Sequence, residues 1–354
     1  MKKINIKAYA KINLSLDVLG LKDDGFHNVS MVMQQIELHD EVLVRFITRS
    51  ELEAAAGIRS ADHLSKEDEG NGVYSNMYSK KAMNTHEIAV ELSTNKPYLP
   101  RDARNIAYRA AQLMSEKYGM REDLAGGKVR IDIKKNIPVG AGLAGGSSNG
   151  AAVLHALNKL WKLRLSVCEL MELGAELGSD VPFCVMGQAR ANRSLNTYIR
   201  QDKMACCAAL AEGTGTRLEP VTALKSDIVL VKPMFGVSTR EVYKMIDEEI
   251  EFAEKRCELK RPNNGELVAA LANGSRRKII ANMINVLELY TLKAYPEVKK
   301  IKETMFKETK AAAVMMSGSG PTVLGVYFDK SEAERAYQFL KPLSKEVYLA
   351  RTMR

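Results

Sequence analysis

The sequence predicts a protein of two domains that mix strands with helices. A chain of 354 residues is long for one core and typical of two. Its first fifty residues run largely in strand-like patterns, and amphipathic helices follow. After about Thr222 a fresh series of strand and helix patterns begins. We therefore place one domain at residues 1–222 and a second at 223–354.

In chain order, "INIKAYAKINLSLDVLG" (Ile4 to Gly20) reads as one strand, or two joined by a bend. "DGFH" opens a turn, and the residues up to Thr48 give two more strand-like runs. Near 51–86 the periodicity fades into polar residues punctuated by Gly and Asn, the pattern of an exposed insertion. "HEIAVELST" is a strand before a proline-bounded turn, and "RNIAYRAAQLMSEKYG" is an amphipathic helix closed by Gly119. In "KVRIDIKK", Val129, Ile131 and Ile133 alternate with Arg130, Asp132 and Lys134, a strand with one buried face. A helix follows from about Asn149 to Leu163. "SVCELMELGAELG" opens on a capping box, Ser166 with Glu169, and stops at Gly178. Pro182 is expected to hold the chain after Asp180 extended. A second irregular insertion falls near 190–205. "SDIVLVKP" then reads as a buried strand, and a charged helix starts at Thr239. "RRKIIANMINVLELYTL" and "EVKKIKETMFKE" read as two helices, and "AAAVMMSGSGPTVLGVYF" as two strands about a glycine turn.

Composition narrows the class. Hydrophobic residues at 46% and charged residues at 27% are the balance of a soluble globular protein. No apolar run approaches the roughly 20 residues of a membrane span, and the N-terminus alternates where a signal peptide would be uniformly apolar. Five cysteines without a CxxC pair, and five dispersed histidines, fit a reduced cytoplasmic protein without a disulfide or zinc framework. The net charge of +9 suits nucleic acid or small polyanions drawn into a cleft. With no Arg/Lys block and no aromatic-rich basic motif, the polyanion reading is favoured.

The densest local signal is "NIPVGAGLAGGSSNGAAVLHALNKLW", Asn136 to Trp161. Five glycines fall between Gly140 and Gly150, after a strand and before a helix. Ordered glycine costs backbone entropy, so such a cluster needs a reason. Successive N–H groups at a helix start form an anion site, and glycines let a phosphate reach the main chain. Ser147 and Ser148 add hydroxyls that can donate to phosphate or ligate magnesium. The stretch is neither a Walker A loop nor the GxGxxG fingerprint in its usual place.

"IPVGAGLAGGSSNGAA" resembles the phosphate loop of the superfamily that includes galactokinase, homoserine kinase, mevalonate kinase and phosphomevalonate kinase. That loop follows the pattern Pro-x-x-x-Gly-Leu-(Gly/Ala)-(Gly/Ser)-(Gly/Ser)-Ser. "AYAKINLSLDVLG", "DGFH", "GSDVPFC" and "FGVSTREVY" come in the order of one branch. That branch phosphorylates the 2-hydroxyl of a cytidine-diphosphate-linked sugar alcohol in the non-mevalonate route to isoprenoids. "NVLE" at Asn285 and "SGSGP" at Ser317 extend the resemblance to most of the chain, outside the two insertions. It implies an α+β fold of two domains, the first like the second domain of ribosomal protein S5 and the second ferredoxin-like. The active site would lie in the cleft between them, with ATP as co-substrate and Mg2+ expected beside it.

Residue by residue, the resemblance implies that Asp180 orients or deprotonates the substrate hydroxyl, with Lys11 beside it stabilising charge. Asn13, on the same strand face as Lys11, would bind substrate. Phe26 would stack on cytosine and His27 would bond its edge; many relatives carry Tyr at the first of these. Asn105, Ile106 and Lys135 would surround adenine. Pro138, Gly140, Gly142, Leu143, Ala144, Gly145, Gly146, Ser147 and Ser148 would hold the phosphates. Ala144 stands where many relatives have Gly, and its methyl asks for a negative φ. The glycines of "SGSGP" are either a tight turn or a second loop closing the cleft, and Thr239 is either a site residue or a helix cap. Rival readings are another small-molecule kinase of the superfamily, of homoserine or mevalonate type, or an inactive ATP- or RNA-binding module on the same fold. "GFH" beside "AKINL" opposes the first, and Lys11 with Asp180 opposes the second. The expected partners are small molecules, without nucleic acid or membrane, for a monomer or weak homodimer.

Overall fold

A computed structural model describes residues 2–55, 87–121, 124 and 126–354. The chain opens with a long antiparallel hairpin, β1 (Lys2–Leu21) and β2 (His27–Thr48). Then come α1 (Arg49–Ala55), β3 (Ile88–Thr94), α2 (Ile106–Tyr118), β4 (Gly127–Lys134), α3 (Gly145–Leu160), α4 (Val167–Leu177), α5 (Val181–Ala191), α6 (Thr197–Arg200), β5 (Ala208–Gly213) and β6 (Arg217–Pro220). Strand β2 organises the sheet. β1 runs along one edge of it, while β4 pairs with Glu41–Thr48 and β5 with Val29–Gln34. β3 adds parallel to β4, and β6 antiparallel to β5.

The second sheet contains β7 (Asp227–Lys232), β8 (Ala313–Met316), β9 (Val323–Tyr327) and β10 (Glu346–Arg351), in the order β10-β7-β9-β8 with every pair antiparallel. Between β7 and β8 lie α7 (Thr239–Lys255), α8 (Asn264–Asn273), α9 (Arg276–Ala281), α10 (Glu288–Ala294) and α11 (Pro296–Glu308); α12 (Lys330–Leu340) joins β9 to β10. This is the ferredoxin-like arrangement with extra helices in its first crossover.

Burial along β1 shows how the layers stack. From Lys2 to Lys7 exposed and buried residues largely alternate, but every residue from Ala8 to Val18 is buried. One face of the first sheet packs on α2, α3, α4 and α5, around Ala111, Leu154 and Trp161. Its other face meets the second sheet, where Ile12, Leu14 and Val32 share a cluster with Ile228, Leu230 and Leu324. A strand sandwiched this way loses its solvent-exposed face, and the polar row Lys11, Asn13, Ser15 and Asp17 is buried along with its apolar neighbours.

Several sequence expectations need correction. Pro182 lies in the first turn of α5, where its missing N–H leaves no bond unmade. The two runs expected after "DGFH" are one 22-residue strand. The first insertion begins as helix α1, and residues 56–86 lie outside those described. The stretch near 190–205 is not wholly an excursion, because Leu195 and Ile199 join the first core and α6 forms within it. "RRKIIANMINVLELYTL" is broken between α9 and α10. There Leu16 N–H donates to Ile284 O (2.9 Å) and Val286 N–H to Leu16 O (2.9 Å), so backbone pairing to β1 replaces helix.

Candidate active site

A cavity of about 1230 Å³ lies between the two sheets' outlying loops. That exceeds the roughly 300–1,000 Å³ that holds one small ligand, so two can share it. Lys11, Phe26, His27, Asn105, Ile106, Lys135, Asp180, and the loop from Pro138 to Gly146 all line it. The structure thus brings together most of the residues singled out from the sequence, from five separate segments.

The loop between β4 and α3 is shaped by backbone. Gly140 and Gly142 have φ of +62° and +70°, which side chains rarely tolerate. Ala144 also sits in the left-handed region, at φ 54° and ψ 30°. The expectation of a negative φ at Ala144 is therefore wrong, because the sharp entry into α3 requires αL there. For a residue with a Cβ this conformation costs about 1–2 kcal/mol. Ala144 is the N-cap of α3 and offers no capping side chain. The first-turn N–H groups of α3 therefore keep their anion-binding capacity.

Beneath the loop is a buried polar anchor. Lys135 Nζ pairs with the Asp40 carboxylate and donates to Asn149 Oδ1 at 3.3 Å. Asp40 Oδ1 accepts the N–H groups of Asn136 (2.7 Å) and Ile137 (2.8 Å), and Oδ2 accepts from Asn149 Nδ2 (2.8 Å). Burial pushes the Lys135 ammonium below its ordinary pKa, and the Asp40 charge opposes that. Asn105 is likewise committed: its Oδ1 accepts from Ala107 N–H at 3.0 Å as the cap of α2, and its Nδ2 donates to Pro100 O at 2.9 Å.

Three expected site residues do not line the cavity. Ser148 is fully buried; its Oγ donates to Tyr9 O (2.7 Å) and accepts from Gln188 Nε2 (3.0 Å). Ser147 is half-buried in the first turn of α3. Asn13 is fully buried behind Lys11, accepting from Lys11 Nζ at 2.9 Å and donating to Met31 Sδ at 3.2 Å.

Register shifts fall between Tyr9 and Lys11 and between Asn13 and Ser15. Bulges bend a strand and re-aim its side chains, and here they bracket Lys11 and Asn13. Lys11 N–H donates to Leu143 O at 3.2 Å, which ties the strand to the glycine loop. Lys11 Nζ lies 3.8 Å from Asp180 Oδ1, a charge pair beyond hydrogen-bond length. Asp180 is the N-cap residue of α5, yet its side chain makes no capping bond. A turn-stabilising Asp would spend its carboxylate on the helix; this one keeps it for the cavity. Burial, then the Asp180 charge, push the Cys184 thiol well above its ordinary pKa, which leaves it protonated and unreactive.

The second domain supplies a wall that the sequence reading left out. Arg240, Tyr243, Lys244 and Asp247 line the cavity from one face of α7, at positions i, i+3, i+4 and i+7. Burial, then Asp180, raise the Tyr243 phenol, so it remains a hydrogen-bond donor. Ser238, not Thr239, caps α7, accepting from Glu241 N–H at 3.3 Å. Thr239 Oγ1 instead meets Ser319 Oγ at 2.8 Å. The "SGSGP" turn therefore faces the site, and Gly318 and Ser319 line it. Asn285 holds this turn, its Nδ2 donating to Met316 O and Gly318 O, both at 2.8 Å. Ser317 Oγ donates to Gly142 O at 3.1 Å, so the two glycine loops touch.

A backbone anion site, an uncapped aspartate and a buried lysine in one interdomain cavity define a small-molecule phosphotransferase of the GHMP kinase class. Residues 105–188 match the GHMP kinases N terminal domain and residues 258–343 the GHMP kinases C terminal. A 4-diphosphocytidyl-2-C-methyl-D-erythritol kinase of Alkaliphilus metalliredigens is 38% identical, over 99% of this chain and 97% of that one. One of Clostridium botulinum is also 38% identical, over 99% and 100%. A crystal structure of 4-(cytidine 5'-diphospho)-2C-methyl-D-erythritol kinase superposes with a TM-score of 0.68 at 26% identity, covering 99% of this chain and all of that one. Homoserine kinase from Cytophaga hutchinsonii shares the fold, with a TM-score of 0.64 at 18% identity over 100% of this chain and 96% of that one. The chain belongs to the 4-diphosphocytidyl-2-C-methyl-D-erythritol kinase family. Kinases of this family use ATP as co-substrate. Among the described residues no helix is long and apolar enough to cross a membrane.

Proposed function

We propose that this cavity transfers the γ-phosphoryl group of ATP to the 2-hydroxyl of 4-diphosphocytidyl-2-C-methyl-D-erythritol, a step toward isoprenoid precursors by the non-mevalonate route. The observation that carries the reading is the uncapped Asp180 carboxylate beside Lys11, in the same cavity as the open N-terminus of α3. Asp180 orients the acceptor hydroxyl and takes its proton as the oxygen attacks phosphorus and ADP leaves. Lys11 stabilises the charge on the phosphoryl in flight, and Asn13 holds its ammonium in place. The α3 N–H groups and the loop from Pro138 to Gly146 take the ATP phosphates. Asn105, Ile106 and Lys135 stand on the adenine side.

On the acceptor side, Phe26 is 66% exposed at the cavity, a flat apolar face free to stack on cytosine. Arg240 and Lys244 offer cationic partners for the diphosphate. Among the described residues no cluster of three or more His, Cys, Asp or Glu makes a metal cage. Magnesium carried on ATP phosphates needs few protein ligands, and Asp180 is the carboxylate in the cavity placed beside Lys11. When bound, the ion screens phosphate charge. Ser148 does not suit it, because its hydroxyl is spent on Tyr9 and Gln188.

The domain boundary belongs near residue 222, in the connection between β6 and β7. The expected setting is the cytoplasm, as a monomer or weak homodimer without nucleic-acid partners; the +9 charge serves polyanionic substrates. ADP release with the cytidyl sugar alcohol, homoserine and mevalonate in parallel tests the reading. Turnover on the first alone is expected. Turnover on homoserine or mevalonate, with none on the first, overturns it.

A further inference from the structure

His27 is the first residue of β2, and its imidazole reaches α7 in the other domain. Its Nε2 lies 2.9 Å from Asp247 Oδ2. Its ring leans on Tyr243, with centroids 5.3 Å apart and planes tilted by 45°. Tyr243 and Asp247 are one helical turn apart, so one face of α7 makes both contacts. The His27 side chain is only 7% exposed, so these contacts fix its direction. His27, Tyr243 and Asp247 all line the cavity. Among the described residues, Nδ1 makes no hydrogen bond.

A carboxylate accepts hydrogen bonds and does not donate them. Asp247 therefore requires the hydrogen to be on Nε2. In a neutral imidazole that leaves Nδ1 without hydrogen, as an acceptor. We infer that Asp247 is a positioning residue that makes His27 an acceptor toward the bound base and so selects cytosine over uracil. Cytosine presents an amino donor where uracil presents a carbonyl, and two acceptors facing each other leave both unsatisfied. A buried mismatch of that kind weakens binding by about five- to a hundredfold. The inference rests on the cytosine reading proposed above.

The experiment is competition by CMP and by UMP in the ADP-release assay, for the wild type, Asp247→Asn and Asp247→Glu. An amide can accept from Nε2–H or donate to bare Nε2, so Asp247→Asn frees the tautomer. CMP is then expected to compete less well and UMP better, moving their ratio toward one. KM for the cytidine substrate should rise while KM for ATP stays put. Asp247→Glu, still acceptor-only, should restore part of the ratio. If the wild type discriminates but Asp247→Asn keeps the ratio, the inference is overturned. If CMP and UMP weaken in parallel, Asp247 merely braces the fold, and the inference is overturned too. Equal competition by CMP and UMP in the wild type overturns the cytosine reading itself, and this role with it.

Discussion

Where the glycine loop enters α3, the cavity is lined by main chain; where β2 meets α7, it is lined by side chains from two domains. The first region tolerates little change because its shape is set by φ angles that few residues adopt. The second is assembled from residue types that occur anywhere, at the ordinary spacing of a helix face. A region made of backbone therefore fails by losing its conformation. A region made of side chains fails one contact at a time, with the rest of the protein intact.

Substitutions can break or sharpen that contrast. The largest effect is expected at Asp180, which opens α5 and lines the cavity that both regions enclose. Asp180→Asn should lower kcat by roughly a hundredfold or more, as loss of a positioned base does, with ATP binding nearly intact. Near wild-type turnover would remove Asp180 from the chemistry. Next comes the backbone region. A Cβ at Gly142 would lie 2.3 Å from Ser317 O and 3.0 Å from Gly320 O. Gly142→Val should therefore cost on the order of 3 kcal/mol of stability and weaken ATP at once. Calorimetry with a non-hydrolysable ATP analogue and a melting curve read the two effects; unchanged values of both would make the loop a mere turn.

In the side-chain region, Phe26→Ala should raise KM for the cytidine substrate by about 1–3 kcal/mol of lost stacking and leave the melting temperature alone. An equal rise in KM for ATP would contradict the separation of the two regions. The smallest effect is expected at Ala144. Glycine there relieves left-handed strain of about 1–2 kcal/mol but adds unfolded-state entropy worth about 0.4–1 kcal/mol. Ala144→Gly should thus stabilise by about 0.8 kcal/mol, a rise of roughly 1 °C in Tm. A lower Tm would show that the methyl contributes packing that outweighs its strain.

The same contrast governs what the sequence reveals. The glycine loop is legible because special φ angles restrict residue choice, which leaves a pattern in the text. Lys11 and Asp180 are legible through their motifs, although the bulges that aim Lys11 are not, since a bulge adds one residue without changing composition. Asp40 beneath the loop is invisible, because its partners Lys135 and Asn149 come from elements 95 and 109 residues away. The α7 wall is only partly legible: "FGVSTREVY" marks where it begins, but nothing in it says that the helix face lines a cavity. "STREVYKMID" has the polar stripe of any solvated helix, and only packing shows that the stripe faces a cavity. Ser148 and Asn13 show the converse limit: a motif names a residue type, and only the fold shows which partners its polar group already has.

Consider finally the place where Gly142 meets Ser317. The contact leaves no room for a Cβ on the first loop and uses the hydroxyl of the second. The second domain's backbone thus sets the permitted residue at Gly142 in the first, 175 positions from Ser317 along the chain. Anyone splicing the front of this protein to the back of a relative must treat the two loops as one inherited part. A graft that matches the cores but mismatches this seam carries its fault in the reaction chamber.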